Sequence, residues 1–353
     1  MSQSFFYALA SVGYLAGLIN DLAANKELRP CTRFTDINMQ RRFHIMTRAD
    51  KIFIENCKAI LASPFSDEGM HVRPKWADTN EPAHTKKCFG IVNRYDLREE
   101  FPIMTLRRIY WKTALNEVLW IYQKASNVIA ELGSKIWDEW DVGDGTIGKA
   151  YGYQIGQIFK HHRCKSGEEF DDIKYPSMKV KDGFVHLNQM DAVLFDLRND
   201  PLTRRIITNT YNHQDLHAMG LSPCAYSMTY NVTRNPETGE MILNGILNQR
   251  SQDMLTANNW NTVQYALLLM IVAKSVGMIP GEFIHVITDA HIYDRHIPIV
   301  EDMIRRAEEN PNDFKAPTVT LKDFGDFYDF KSSDVVMEGY QYDDTDYKID
   351  VAV

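Results

Sequence analysis

The chain is poor in cysteine, and the cysteines it has form no ligand pattern. They stand at Cys31, Cys57, Cys88, Cys164 and Cys224, an odd number, widely spaced, with no CxxC pair. That excludes a familiar zinc cluster, so no metal is expected, and it suits a reducing compartment. Long apolar runs are missing too. Phe5–Ile19 is interrupted by Ser11 and Gly13 and falls short of the ~20 residues a membrane span needs. No basic residue precedes it, as a secretory leader would require. The expectation is a cytoplasmic protein with no membrane partner. Positive charge is in deficit: 39 Lys and Arg against 47 Asp and Glu give a net charge of -8, which argues against broad binding to DNA, RNA or anionic surfaces. There is no GxxxxGK[ST] and no dinucleotide fingerprint. A phosphate would then be gripped by side chains, which favours a mononucleotide over ATP hydrolysis.

What is present is an ordinary globular composition, 44% hydrophobic and 24% charged over 353 residues, enough for one large core or two smaller ones. Residues 1–45 read as an N-terminal extension, an apolar helical start followed by a polar connector, and 46–353 as a single large domain. Helical periodicity covers Ala49–Ala62 and stops at Ser63-Pro64. Trp111–Leu132 reads as one long amphipathic helix closed by Gly133. Gly167–Lys181 reads as a charged surface loop, and Gly183–Leu197 as strand plus helix. Arg205–Tyr211, Ala225–Val232, Met241–Leu247 and Phe283–Thr288 have strand composition. Val263–Val276 is apolar nearly all round, as a buried helix is. The fold class is therefore α+β, a mixed β-sheet packed against a buried central helix.

Several residues could carry chemistry. Cys224, in Leu221-Ser-Pro-Cys-Ala, is either a half-buried structural thiol or a nucleophile at a strand start, its pKa lowered by nearby arginines. Thr203-Arg204-Arg205 and Gln249-Arg250-Ser251 pair guanidinium forks with hydroxyls, as a phosphate monoester requires; each alone also fits a solvated surface. His291 and Tyr293, two apart after a strand, can face one side, to bond a sugar hydroxyl or as a satisfied core pair. Glu117, inside an apolar helix, is either on the solvent face or a buried acid with a shifted pKa. Trp137 and Trp140 offer stacking or packing surfaces.

Together these segments resemble the thymidylate synthase family over roughly residues 48–353. Pro223-Cys224, Gln249-Arg-Ser-Gln-Asp253, Asn261, Tyr265-Ala-Leu-Leu, Gly281-Glu-Phe-Ile and Asp289-Ala-His-Ile-Tyr293 follow the family pattern in order and spacing. Trp111–Leu119, Ile136-Trp-Asp-Glu-Trp140, Gly148-Lys-Ala-Tyr-Gly152 and Thr203-Arg-Arg-Ile-Ile207 also match. Val72-Arg-Pro-Lys-Trp76 and Pro82-Ala-His-Thr85 resemble the branch of some Bacillus and their phages. The resemblance implies reductive methylation of dUMP to dTMP with 5,10-methylenetetrahydrofolate as co-substrate, in a homodimer. Cys224 would add to C6 of the pyrimidine. Arg73, Arg250 and Ser251 would hold the phosphate, with Arg204 and Arg205 reaching across from the second subunit. Asn261 would read the uracil edge, and His291 and Tyr293 the 3′-hydroxyl. Glu117 and Tyr151 would organise water and the proton transfers, and Asp253, Trp137 and the terminal Val353 would fix the folate. The chain departs from the pattern at Ala257-Asn-Asn-Trp260, where Gly-x-Pro-Phe is usual, at Thr288, where glycine is, and at Ala225, where histidine is common. Asn259 could hold a water near the reacting carbon and Trp260 could exclude one. A pyrimidine hydroxymethylase of the same fold would keep the same groups; a non-catalytic phosphate- or RNA-binding protein is the more remote reading. Asn261 points to uracil over cytosine, because an amide can both donate and accept.

Overall fold

The computed structural model describes residues 46–165, 171–309 and 314–352. The expectations for residues 1–45 and for Val353 lie outside them. The sheet forms where β-branched and aromatic residues alternate with polar ones. Its strands are β1 (Thr85–Asp96), β5 (Ile207–Asn209), β6 (Ala225–Arg234), β7 (Met241–Asp253) and β8 (Ile279–Tyr293), in the order β1-β8-β7-β6-β5. β7 and β8 run parallel and the other pairs antiparallel, so the sheet is mixed and the fold is α+β. A smaller sheet joins β2 (Phe159–Arg163), β3 (Lys179–Lys181) and β4 (Phe184–Leu187), and β9 (Thr318–Leu321) pairs with β10 (Val335–Glu338).

The helices are α1 (Arg48–Ala62), α2 (Trp111–Tyr122), the single turn α3 (Gly152–Ile155), α4 (Gln189–Asn199), α5 (Asn258–Ser275) and α6 (Ile297–Glu309). The α1 start is set by Thr47, whose side chain accepts from the Asp50 N–H, an N-cap arrangement. α5 is buried along almost its whole length, lying between α2 and strands β7 and β8, as its all-round apolarity requires. The inner sheet face carries the cross-strand row Met228, Leu247, His285 and Asn93, all buried. Among the described residues no helix is long and apolar enough to cross a membrane.

Three expectations need correction. α2 ends at Tyr122, not at Leu132. The chain turns at Ala125 (φ 48°) because the Trp120 indole donates to the Val128 carbonyl and the Ser126 backbone packs against Gly152. A Cβ on Gly152 would stand 1.9 Å from the Ser126 oxygen; only glycine permits that approach. In the segment read as a loop, Lys179–Lys181 is a strand paired with β4. The strand expected at Arg205–Tyr211 is shorter, Ile207–Asn209.

Candidate active site

Cys224 closes the Ser222-Pro223-Cys224 turn that leads into β6, and Arg250 on β7 fixes that turn. The Arg250 N–H donates to the Cys224 carbonyl at 2.9 Å. Its guanidinium donates to the carbonyls of Pro223 (3.0 Å) and Ser222 (2.8 Å) and reaches Sγ of Cys224 at 3.6 Å. From the other side the Tyr151 hydroxyl accepts the Cys224 N–H at 3.0 Å. Tyr151 has φ 42° and ψ -101°, a strained backbone of the sort that persists only when its surroundings hold it. The arginines were expected to lower the thiol pKa. Arg250 and the exposed Arg73 do pull it down, but burial outweighs them and holds the thiol above its ordinary value. Arg204 and Arg205 are exposed and are not among the charges acting on Cys224; the chain does not bring them to its own thiol.

Glu117 is buried, because α2 turns it toward α5 and away from solvent. Its Oε1 accepts the Trp137 indole N–H at 2.7 Å. Its Oε2 accepts the Trp260 indole N–H and the Gln264 amide, each at 2.6 Å. Burial pushes its pKa up, and the three donors oppose that rise. Gln264 carries the network onward: its Oε1 accepts from Nδ2 of Asn261 at 2.9 Å, and Oδ1 of Asn261 accepts from Nε2 of Gln249 at 3.2 Å. Nε2 of Gln252 also donates to that oxygen, at 3.4 Å, so Oδ1 is doubly engaged and Asn261 keeps one amide hydrogen for a ligand, its oxygen becoming available only if one of the two glutamines gives way.

At the end of β8, His291 and Tyr293 share one face with ring centroids 5.1 Å apart. His291 Nδ1 contacts Asp289 at 2.8 Å. Burial pushes Tyr293 up to about 12, and Asp253, Arg73, Cys224 and Asp289 are the titratable groups that act on it. Asp253 is engaged locally, accepting from the N–H groups of Leu255 and Thr256 and from the Thr256 hydroxyl. Burial works to raise its pKa, yet His296 and Thr256 hold it below the usual carboxylate range. Ser251 sits opposite Asp289 in the parallel β7–β8 pair. Trp137 packs edge-on to Tyr151, joining the Glu117 and Cys224 ends of the site.

The residues at which the chain departs from the family pattern are resolved by their bonds. Asn259 faces inward, its Oδ1 accepting the Met104 N–H at 2.8 Å and its Nδ2 donating to the Pro102 carbonyl. Its amide is turned to the backbone of Pro102 and Met104. Trp260 instead reaches Glu117 and lines a cleft of about 230 Å³ with Arg107, Ile109, Tyr110, Thr256, Ile349 and Val351. Arg107 has a buried Nε without a partner. Tail residues close one side: the Asp350 carbonyl contacts Nε2 of His296 at 2.7 Å, and Ala352 bridges to Trp76. Sequence reasoning missed Gln264, Gln249, His296 and Arg107. The available signal for Gln264 was a polar residue inside an otherwise apolar helix.

A thiol in an arginine-pinned turn, a buried carboxylate and an amide cluster over a mixed sheet are an arrangement suited to an enzyme that uses a nucleophilic thiol on a small anion. The thymidylate synthase family model matches residues 51–353. Thymidylate synthase of Bacillus phage phi3T is 36% identical over 303 residues, covering 85% of this chain and 97% of its own. Thymidylate synthase 1 of Bacillus subtilis shows the same identity and coverage. The solved structure of thermostable thymidylate synthase A from Bacillus subtilis superimposes with a TM-score of 0.73 at 34% identity, over 86% of this chain and 99% of that one. The chain belongs to the thymidylate synthase family.

Proposed function

We propose that the protein methylates dUMP to dTMP in the cytoplasm, using 5,10-methylenetetrahydrofolate, through a covalent bond between Cys224 and C6 of the pyrimidine. The observation that carries this reading is the convergence of Cys224, Arg250, Tyr151, Glu117 and Asn261 through hydrogen bonds and one packed indole, on a chain of this family. Residues 46–353 form the catalytic domain and 1–45 an extension to it.

Arg250, Arg73 and Ser251 hold the phosphate, whose charge the guanidiniums match. Asn261 reads O4 and N3–H of uracil, His291 and Tyr293 the 3′-hydroxyl. Once its proton has passed to solvent water, the Cys224 sulfur adds to C6 as the C5=C6 π bond opens, which pushes electron density to C5 and O4 and makes C5 a carbon nucleophile; the S–C6 bond breaks again, restoring C5=C6, when the methylated product leaves. Glu117, ionised, receives the C5 proton through water, and Tyr151 steadies the thiol-bearing turn while protons move. The Trp260 cleft suits the folate: indole and phenol faces match a planar ring system, and the cation of Arg107 matches an acidic tail. When bound, the folate supplies the one-carbon unit and the hydride that reduces it to methyl, leaving as dihydrofolate. Asp253, Trp137 and the Val353 carboxylate help to fix it, and the tail excludes water.

The outer sheet face supports a homodimer. Ile207, Thr229, Ile246 and Ile284 form one cross-strand row, and Asn248, Val286 and Val92 form the next. Ile207 and Val92 are 51% and 61% exposed. Apolar side chains exposed together on one sheet face suit an interface, and a second copy applied face to face would cover them. Arg204 and Arg205 precede Ile207 at the edge of that face, placed to reach the partner's phosphate site.

The test is dihydrofolate release, which should appear only when dUMP and methylenetetrahydrofolate are both present; release with dUMP omitted, or none at all, overturns the reading. A second expectation concerns base choice. Asn261→Asp replaces an amide that donates and accepts, so dUMP should weaken relative to dCMP by about 1–3 kcal/mol. Unchanged kcat/KM ratios for the two nucleotides would remove Asn261 from base reading.

A further inference from the structure

Trp260 and Gln264 are four residues apart on α5, so their side chains leave the same face of the helix. Both donate to one atom, Oε2 of Glu117, at 2.6 Å each. Two donors saturate that oxygen's lone pairs. Oε1 receives only the Trp137 indole and keeps one acceptor position. The family pattern has phenylalanine where this chain has Trp260, and phenylalanine offers no donor.

We propose that Trp260 and Gln264 form a carboxylate clamp that seals Oε2 of Glu117 and leaves Oε1 as the oxygen that exchanges a proton with the bound nucleotide. This rests on the thymidylate-forming reading and assigns Trp260 as a positioning residue for it. The clamp opposes the burial that favours a neutral Glu117, since donors to the charged form stabilise it. The titratable groups facing Glu117 are Tyr151, from the turn before α3, and Tyr265, from α5. Both are themselves held above the ordinary tyrosine value by burial, so they stay neutral while Glu117 titrates. No cation is among the groups acting on Glu117, so the three N–H donors alone offset its desolvation.

The sign follows. Removing the Trp260 N–H raises the Glu117 pKa, so the ionised fraction falls at a given pH and the acid limb of kcat moves to higher pH. Two variants separate donor from packing: Trp260→Phe, and benzothienylalanine at position 260, which keeps the bicyclic shape and lacks the N–H. In both, the acid limb should rise by about one unit, with KM for dUMP changed less than about twofold. A second readout needs no turnover: the infrared carboxyl band that Glu117→Gln deletes should titrate about one unit higher in either variant. If both variants keep the wild-type limb and band midpoint, the clamp is wrong even though dTMP is made. If the band shifts while the wild type makes no dTMP, the clamp stands and the assigned reaction falls.

Discussion

Replacing Cys224 with alanine is expected to lower kcat by on the order of 10⁴-fold or more, because among the described residues no other thiol stands in the arginine-pinned site to supply the covalent step. Cys57 is fully buried, and burial holds its thiol well above the ordinary value. Cys88 lies on β1, and Cys164 follows β2 in the smaller sheet, each on an element away from the Arg250 turn. Among the described cysteines, Cys224 alone has a guanidinium at 3.6 Å and a tyrosine hydroxyl on its own N–H. Arg250 is anchored to Ser222 and Pro223 carbonyls, so the variant keeps its phosphate site and should still bind dUMP. With 5-fluoro-dUMP and methylenetetrahydrofolate, the wild type should form a stable adduct on the peptide containing Cys224. An adduct on another cysteine, or turnover in Cys224→Ala within tenfold of wild type, removes Cys224 from the reaction.

Mixing two inactive proteins, Arg205→Ala and Cys224→Ala, is expected to restore about a quarter of the wild-type sites. Half of the randomly exchanged dimers are hybrids, and in each hybrid one site receives both the intact cysteine and the partner's intact arginine. The expectation rests on placement: Arg205 is exposed beside the apolar row that begins at Ile207, and it does not act on its own chain's Cys224. The check is activity after subunit exchange, with exchange itself followed by mass-labelled subunits. Confirmed exchange with no recovered activity would show that Arg205 serves its own subunit or none.

The long strands and α5 were legible because their patterns are local: alternation in Met241–Leu247, and apolarity on every side of Val263–Val276. The end of α2 was not, because the residues after Tyr122 keep a helix-like pattern. What stops the helix is tertiary: the Trp120 indole on Val128 and the backbone of Ser126 against Gly152. For Glu117 the sequence offered two placements, solvent or core. The choice is made by donors 20, 143 and 147 residues away. The Cys224 thiol shows the same limit in its energetics. The arginines near it were readable as charges, whereas the burial that outweighs them depends on how the whole turn packs. Asn259 and Trp260, adjacent in sequence, face opposite fates because successive helical side chains diverge by about 100°.

The measurement that bears most directly on the assigned reaction is the mass of the nucleotide formed from dUMP and methylenetetrahydrofolate, read together with the oxidation state of the folate. Trp260 lines the cleft and bonds to Glu117, while Asn259 is turned away to the Pro102–Met104 backbone. On the proposed reading, Trp260 serves to keep water from the one-carbon unit until hydride arrives. The product should gain CH2 and appear with an equal amount of dihydrofolate. A gain of CH2O with no dihydrofolate would make the protein a deoxyuridylate hydroxymethylase and contradict the account.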